Sequence, residues 1–77
     1  MNLTVAQFTA FGKEVKKALV DVGETQDWLM KRIEGDTGLF VDSGYMYKIL
    51  TGQRNAPKIV QAIREILDLP EQSQDSA

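Results

Sequence analysis

Lys48, Arg54, Lys58 and Arg64 are the only charged residues of segment 43–64, yet the 77-residue chain carries eleven Asp and Glu against nine Lys and Arg. Ser43, Tyr47, Thr51, Gln53 and Asn55 lie among these cations. Side chains of this kind supply charge and hydrogen-bond donors to a polyanion; they do not form a bond-breaking constellation. The carboxylates lie on either side. Residues 24–42 hold Glu24, Asp27, Glu34, Asp36 and Asp42 against Lys31 and Arg32, and residues 65–77 hold Glu65, Asp68, Glu71 and Asp75 with no base. A net charge of −2 and a pI near 4.9 argue mildly against a nucleic-acid partner. The local charge distribution offsets that objection, because phosphate binding responds to local positive charge.

The chain has no Cys and no His, which removes disulfides, thiolate and imidazole metal sites and His-based acid–base chemistry. Neither a phosphate-binding glycine loop after a strand nor a converging set of titratable groups is present, so no enzyme, cofactor or metal is expected. No apolar run is long enough to span a bilayer and no signal-peptide h-region is evident, so a soluble, cytoplasmic protein is expected.

Hydrophobic spacing then gives the elements that must position the cations. Thr4 and Gln7 fit a capping box, with Leu3 and Phe8 as a hydrophobic staple. Phe8, Phe11, Val15, Leu19 and Val22 form the apolar face of a first helix, ended by Gly23, with Lys13, Lys16 and Lys17 turned to solvent. Thr25 caps a second helix that buries Trp28, Leu29 and Ile33 and ends at Gly35, followed by a loop whose Phe40 or Val41 plugs the core. Asp42 or Ser43 starts a third helix, with Met46, Ile49 and Leu50 inward, Gly44, Tyr47, Lys48 and Thr51 outward, and Gly52 at its end. Pro57 opens a fourth, capped by Asn55 or Ala56, which buries Ile59, Ile63, Ile66 and Leu67 and ends at Leu69 and Pro70. The expected fold is all-α, a small four- to five-helix bundle over residues 1–69 with a disordered acidic tail at 70–77.

The middle of the chain carries a resemblance. Thr25 and Gln26 opening the second helix, Leu29 and Ile33 within it, Val41 with a polar cap, then Met46, Ile49 and Gly52 resemble the helix-turn-helix core of the lambda-repressor-like family, the Cro and Xre type regulators. The flanking helices extend the likeness over residues 5–69. The chain departs from the family at Met30, where Ala is usual, and at Phe40, where the turn usually has glycine. Its interval from Thr25 to Gly52 is also longer than the compact pattern, with the excess in residues 34–39 as an enlarged turn.

The resemblance implies a sequence-specific double-stranded DNA-binding regulator, a Cro-like repressor by type, with the third helix in the major groove of an operator. On that reading Ser43 and Lys48 reach base edges, Lys48 bonding guanine N7/O6 or a phosphate. Tyr47 touches a thymine methyl or a phosphate, while Gly44 allows close backbone approach and Thr51 shares the outward face. Gln26 binds a backbone phosphate, and Gln53, Arg54, Asn55 and Lys58 grip the strand farther along. Useful affinity implies a homodimer, joined by apolar residues near the fourth helix or Trp28. No membrane or small-molecule partner is implied. The competing expectation is a protein-interaction module, an antirepressor or adaptor that kept the helices and gave up DNA; the acidic pI, the acidic C-terminal segment and the enlarged turn favour it.

Overall fold

The computed structural model describes residues 7–70, which form four helices and no strand among the described residues: α1 Ala10–Val22, α2 Gln26–Thr37, α3 Ser43–Leu50 and α4 Pro57–Ile66. Leu3 and Thr4 of the expected capping box, and residues 71–77 of the expected acidic tail, lie outside the described residues.

Helix α1 starts later than its sequence suggests. Gln7 and Phe8 precede the helix, and the cap is Thr9, whose hydroxyl accepts the Gly12 N–H at 3.1 Å. A tertiary contact selects Thr9: its N–H and its hydroxyl both donate to the Leu50 carbonyl, at 3.0 and 3.2 Å, tying the start of α1 to the end of α3. At its other end Gly23 adopts φ 75° and donates to Leu19 and Val20, as expected of a left-handed stop. Val15 and Leu19 are buried, whereas Val22, expected on the same face, is 53% exposed as the last residue of the helix.

Helix α2 does not end at Gly35. It runs to Thr37 and stops at Gly38, whose φ of 77° is the conformation that glycine adopts most cheaply. The Thr37 hydroxyl donates back to the Ile33 carbonyl at 2.7 Å and accepts from the Leu39 N–H at 3.0 Å, so it closes the last turn on both sides. Residues 34–37 of the expected enlarged turn are therefore helical, and the connection to α3 is residues 38–42. Within it Val41 is buried and Phe40 is 71% exposed, so Val41 alone is the plug.

Asp42 caps α3 through a 2.8 Å bond from the Tyr45 N–H. Met46, Ile49 and Leu50 face inward as their spacing requires. Pro57 begins α4 after Ala56, which caps without a side-chain bond, and Ile59, Ile63 and Leu67 are buried while Ile66 is half-buried. The helix ends at Ile66, earlier than expected, through a turn in which Asp68 has φ 56° and the Leu69 N–H reaches back to the Arg64 carbonyl.

The core draws on every helix: Val15, Leu29, Ile33, Met46, Leu50 and Ile63 are its largest fully buried side chains. Each contributes about 1.5–3 kcal/mol through apolar burial. Arg64 is buried as well, its guanidinium 4.8 Å from the Phe11 ring centroid and donating to the Pro70 carbonyl at 2.7 Å. It braces α4 against α1 and the last described turn, so it leaves the set of exposed cations that the carboxylate-free segment suggested.

Candidate nucleic-acid interface

Helix α3 is the centre of the candidate surface, and it is positioned by backbone contact. Thr9 binds the Leu50 carbonyl, and Gly12 packs so closely on the same peptide that a Cβ there would collide with its oxygen. The inward side chains Met46, Ile49 and Leu50 fix the rotation of the helix. At about 100° per residue, Tyr47, Thr51, Gly44 and Lys48 then form a continuous outward strip, with Tyr45 just beyond the Lys48 edge. Gly44, Tyr47 and Lys48 are exposed and Thr51 is half-buried.

Each edge of the strip has a cation beside it. On the Tyr47 edge, the Phe8 ring meets the Tyr47 ring edge-on with centroids 6.2 Å apart, and the Lys16 ammonium lies 5.1 Å from the Phe8 centroid. The same ammonium donates to Gln26 Oε1 at 3.1 Å. Gln26 and Tyr47, singled out separately in the sequence, are thus linked through Phe8 and Lys16. On the other edge the Arg54 guanidinium lies 5.3 Å from the Tyr45 centroid, and Tyr45 shares with Lys58 the lining of an open groove of about 290 Å³.

The residues after α3 are partly occupied by their own turn. The Thr51 hydroxyl donates to the Tyr47 carbonyl at 2.8 Å and accepts from Gln53 Nε2 at 2.8 Å. The N–H groups of Gln53 and Arg54 fold back onto the Lys48 carbonyl at 2.8 and 3.2 Å. This geometry shapes the turn and leaves Gln53, Arg54 and Asn55 exposed. Lys17 pairs with Asp21 and Arg32 with Asp36, whereas Lys16, Lys48, Arg54 and Lys58 meet no carboxylate in an ion pair among the described residues. A cation that no carboxylate neutralises keeps its attraction for an external anion.

Ser43 has different surroundings. It lines a groove of about 310 Å³ with Asp27, Glu34, Asp42, Lys31, Met30, Phe40 and Val41. Three carboxylates against one ammonium make this end of α3 unfavourable to phosphate, so the anion-attracting part of the surface is the Tyr47–Lys48–Arg54 side.

Sequence reasoning set Lys16 aside with Lys13 and Lys17 as solvent-facing charge. What distinguishes Lys16 is its contact with Gln26, ten positions away across the α1–α2 corner, and no local pattern encodes that contact. Trp28 is half-buried with Arg32 over its ring, and the exposed large apolar side chains among the described residues are Val20, Val22, Leu39, Phe40 and Tyr47, of which Leu39 lines open grooves with Pro57 and Lys58 at the start of α4. No helix among the described residues is long and apolar enough to cross a membrane, and the described Asp and Glu residues form no group of three or more that could hold a metal ion. Comparison with family models, curated proteins and solved structures finds no match.

Proposed function

We propose that the chain is a sequence-specific, double-stranded DNA-binding transcriptional regulator of phage or bacterial type, with α2 and α3 as its helix-turn-helix and α3 entering the major groove. One observation carries this reading: the outward strip of α3 holds Tyr47 and Lys48 and has an uncompensated cation along each edge, Lys16 on one side and Arg54 on the other. A helix lying in the major groove has a phosphate backbone on each wall, so it needs positive charge on both flanks and base-reading groups between them. Gly44 lets the backbone approach closely and Lys48 reaches guanine N7/O6 or a phosphate. Arg54 grips the phosphates beyond, with Gln53, Asn55 and Lys58 beside it. The protein acts in the cytoplasm as a homodimer on two half-sites, since a single module with few phosphate contacts binds weakly at physiological salt. Titration onto a mixed-sequence duplex at rising salt tests this: affinity should fall steeply with salt, and absence of binding at low salt would overturn it.

The second reading, a protein-interaction module of the antirepressor or adaptor kind, has its own support. Phe40 is 71% exposed and lines the carboxylate-lined groove at the start of α3. An exposed aromatic next to acidic residues suits a basic, apolar protein surface better than it suits DNA. The same titration separates the two, because an adaptor of this kind binds no duplex even at low salt.

A further inference from the structure

We infer that Lys16 and Gln26 together hold one backbone phosphate of the duplex, Lys16 supplying charge and also orienting the Gln26 amide. The inference rests on the DNA-binding reading above. An ammonium has three donors and no acceptor, so the Gln26 atom 3.1 Å from Lys16 Nζ must be the carbonyl oxygen. That bond commits Oε1 and turns the amide NH₂, a pure donor, away from Lys16. Without the ammonium, the amide can present either its donor or its acceptor face, and the acceptor face repels a phosphate oxygen.

Lys16 is itself held in place. Its ammonium lies over the Phe8 ring, which is edge-on to Tyr47, so the pair is attached to the outward strip of α3 and not simply to the solvated side of α1. Lys16 makes no ion pair among the described residues, while its neighbour Lys17 is paired with Asp21 at 3.7 Å and both partners are highly exposed. Lys17 therefore serves as a control of equal charge on the same helix. Asp27, adjacent to Gln26, lines the separate groove at the start of α3. The pair sits on the edge of α3 opposite Arg54, so the two would hold opposite walls of the groove.

The test is fluorescence anisotropy of the full chain on a labelled mixed-sequence duplex between about 50 and 200 mM salt. Wild type, Lys16→Met, Lys16→Arg, Lys17→Met and Gln26→Ala are compared, with circular dichroism to establish folding. Lys16→Met should lower the salt slope by about one and weaken binding roughly five- to tenfold. Lys16→Arg should restore most of the affinity, and Lys17→Met should leave the slope unchanged. Gln26→Ala alone should weaken binding about two- to fivefold, while the double variant Lys16→Met/Gln26→Ala, measured alongside, should bind about as well as Lys16→Met alone, because the amide has already lost its orientation. Wild-type affinity in Gln26→Ala would overturn the shared contact. If wild type binds with a clear salt slope and Lys16→Met keeps that slope, or if Lys17→Met lowers it equally, this inference fails and the DNA-binding reading stands. If wild type binds no duplex, both fail. Should Lys16→Met not fold, Lys16→Gln gives the same comparison with a polar side chain.

Discussion

Gly12 on α1 lies against the carbonyl of Leu50, the last residue of α3, so closely that the contact has no room for a side chain. The added Cβ of Gly12→Ala would also stand 3.1 Å from the Leu50 carbonyl carbon and 3.2 Å from Phe8 Cδ1. Alanine ordinarily stabilises a helix interior by about 1 kcal/mol relative to glycine. Here the neighbour is backbone that cannot rotate away, and separating the two helices would also stretch the Thr9 bonds to the same oxygen. Gly12→Ala is expected to destabilise the fold by about 1–3 kcal/mol net, read as a lower urea midpoint. An unchanged or higher midpoint would mean that α1 does not fix the end of α3.

Two other glycines should respond in opposite directions. Gly35 is exposed within α2 with nothing near its would-be Cβ and no positive φ, so Gly35→Ala should stabilise by about 0.5–1 kcal/mol. Gly38 has equal space but φ 77°, so Gly38→Ala should destabilise by about 1 kcal/mol. Thermal unfolding of the two variants checks where α2 ends; if their Tm shifts are reversed, the helix stops at Gly35.

How much was legible follows from which contacts decide each feature. Gly23, Thr25, Asp42 and the inward triad Met46, Ile49 and Leu50 were readable because capping and periodicity act within a turn or two of the chain. The local pattern points to Thr4 as the cap of α1, and the use of Thr9 instead depends on Leu50, a residue 41 positions away. The sequence points to Gly35 as the stop of α2, whereas backbone conformation and the use made of the Thr37 hydroxyl carry the helix on to Gly38. Arg64 looked like part of a basic surface; its packing on Phe11 is tertiary and invisible to charge counting. For the candidate site, the outward strip of α3 was legible, and the Lys16 bond to Gln26 was not.

The groove at Ser43 makes a charge prediction. Glu34 and Asp27 line it with Asp42, and Asp42 is already used as the cap of α3. If that end of the helix approaches phosphates, Glu34→Gln and Asp27→Asn should each tighten duplex binding by about two- to fivefold at low salt, with the gain fading as salt rises. Equal affinity at all salt concentrations would put the groove away from the duplex and favour its use with Phe40 as a protein-binding surface.

Arg54 is exposed in the turn after α3, stacked on Tyr45 and without a carboxylate partner in an ion pair among the described residues. Arg54→Glu should abolish duplex binding while changing stability by less than about 0.5 kcal/mol, as for most surface substitutions. Anisotropy and thermal unfolding on the same sample check both halves. Intact affinity would remove Arg54 from the interface, and a collapsed Tm would make its stacking on Tyr45 structural.

The most direct test of the central claim is selection of bound sequences from random duplexes, run in parallel with wild type and Lys48→Ala. The account predicts a palindromic consensus with half-sites about one helical turn apart, and relaxed preference at one position in each half-site when Lys48 is shortened. No enrichment, or a consensus indifferent to Lys48, would contradict the claim that the outward strip of α3 reads DNA.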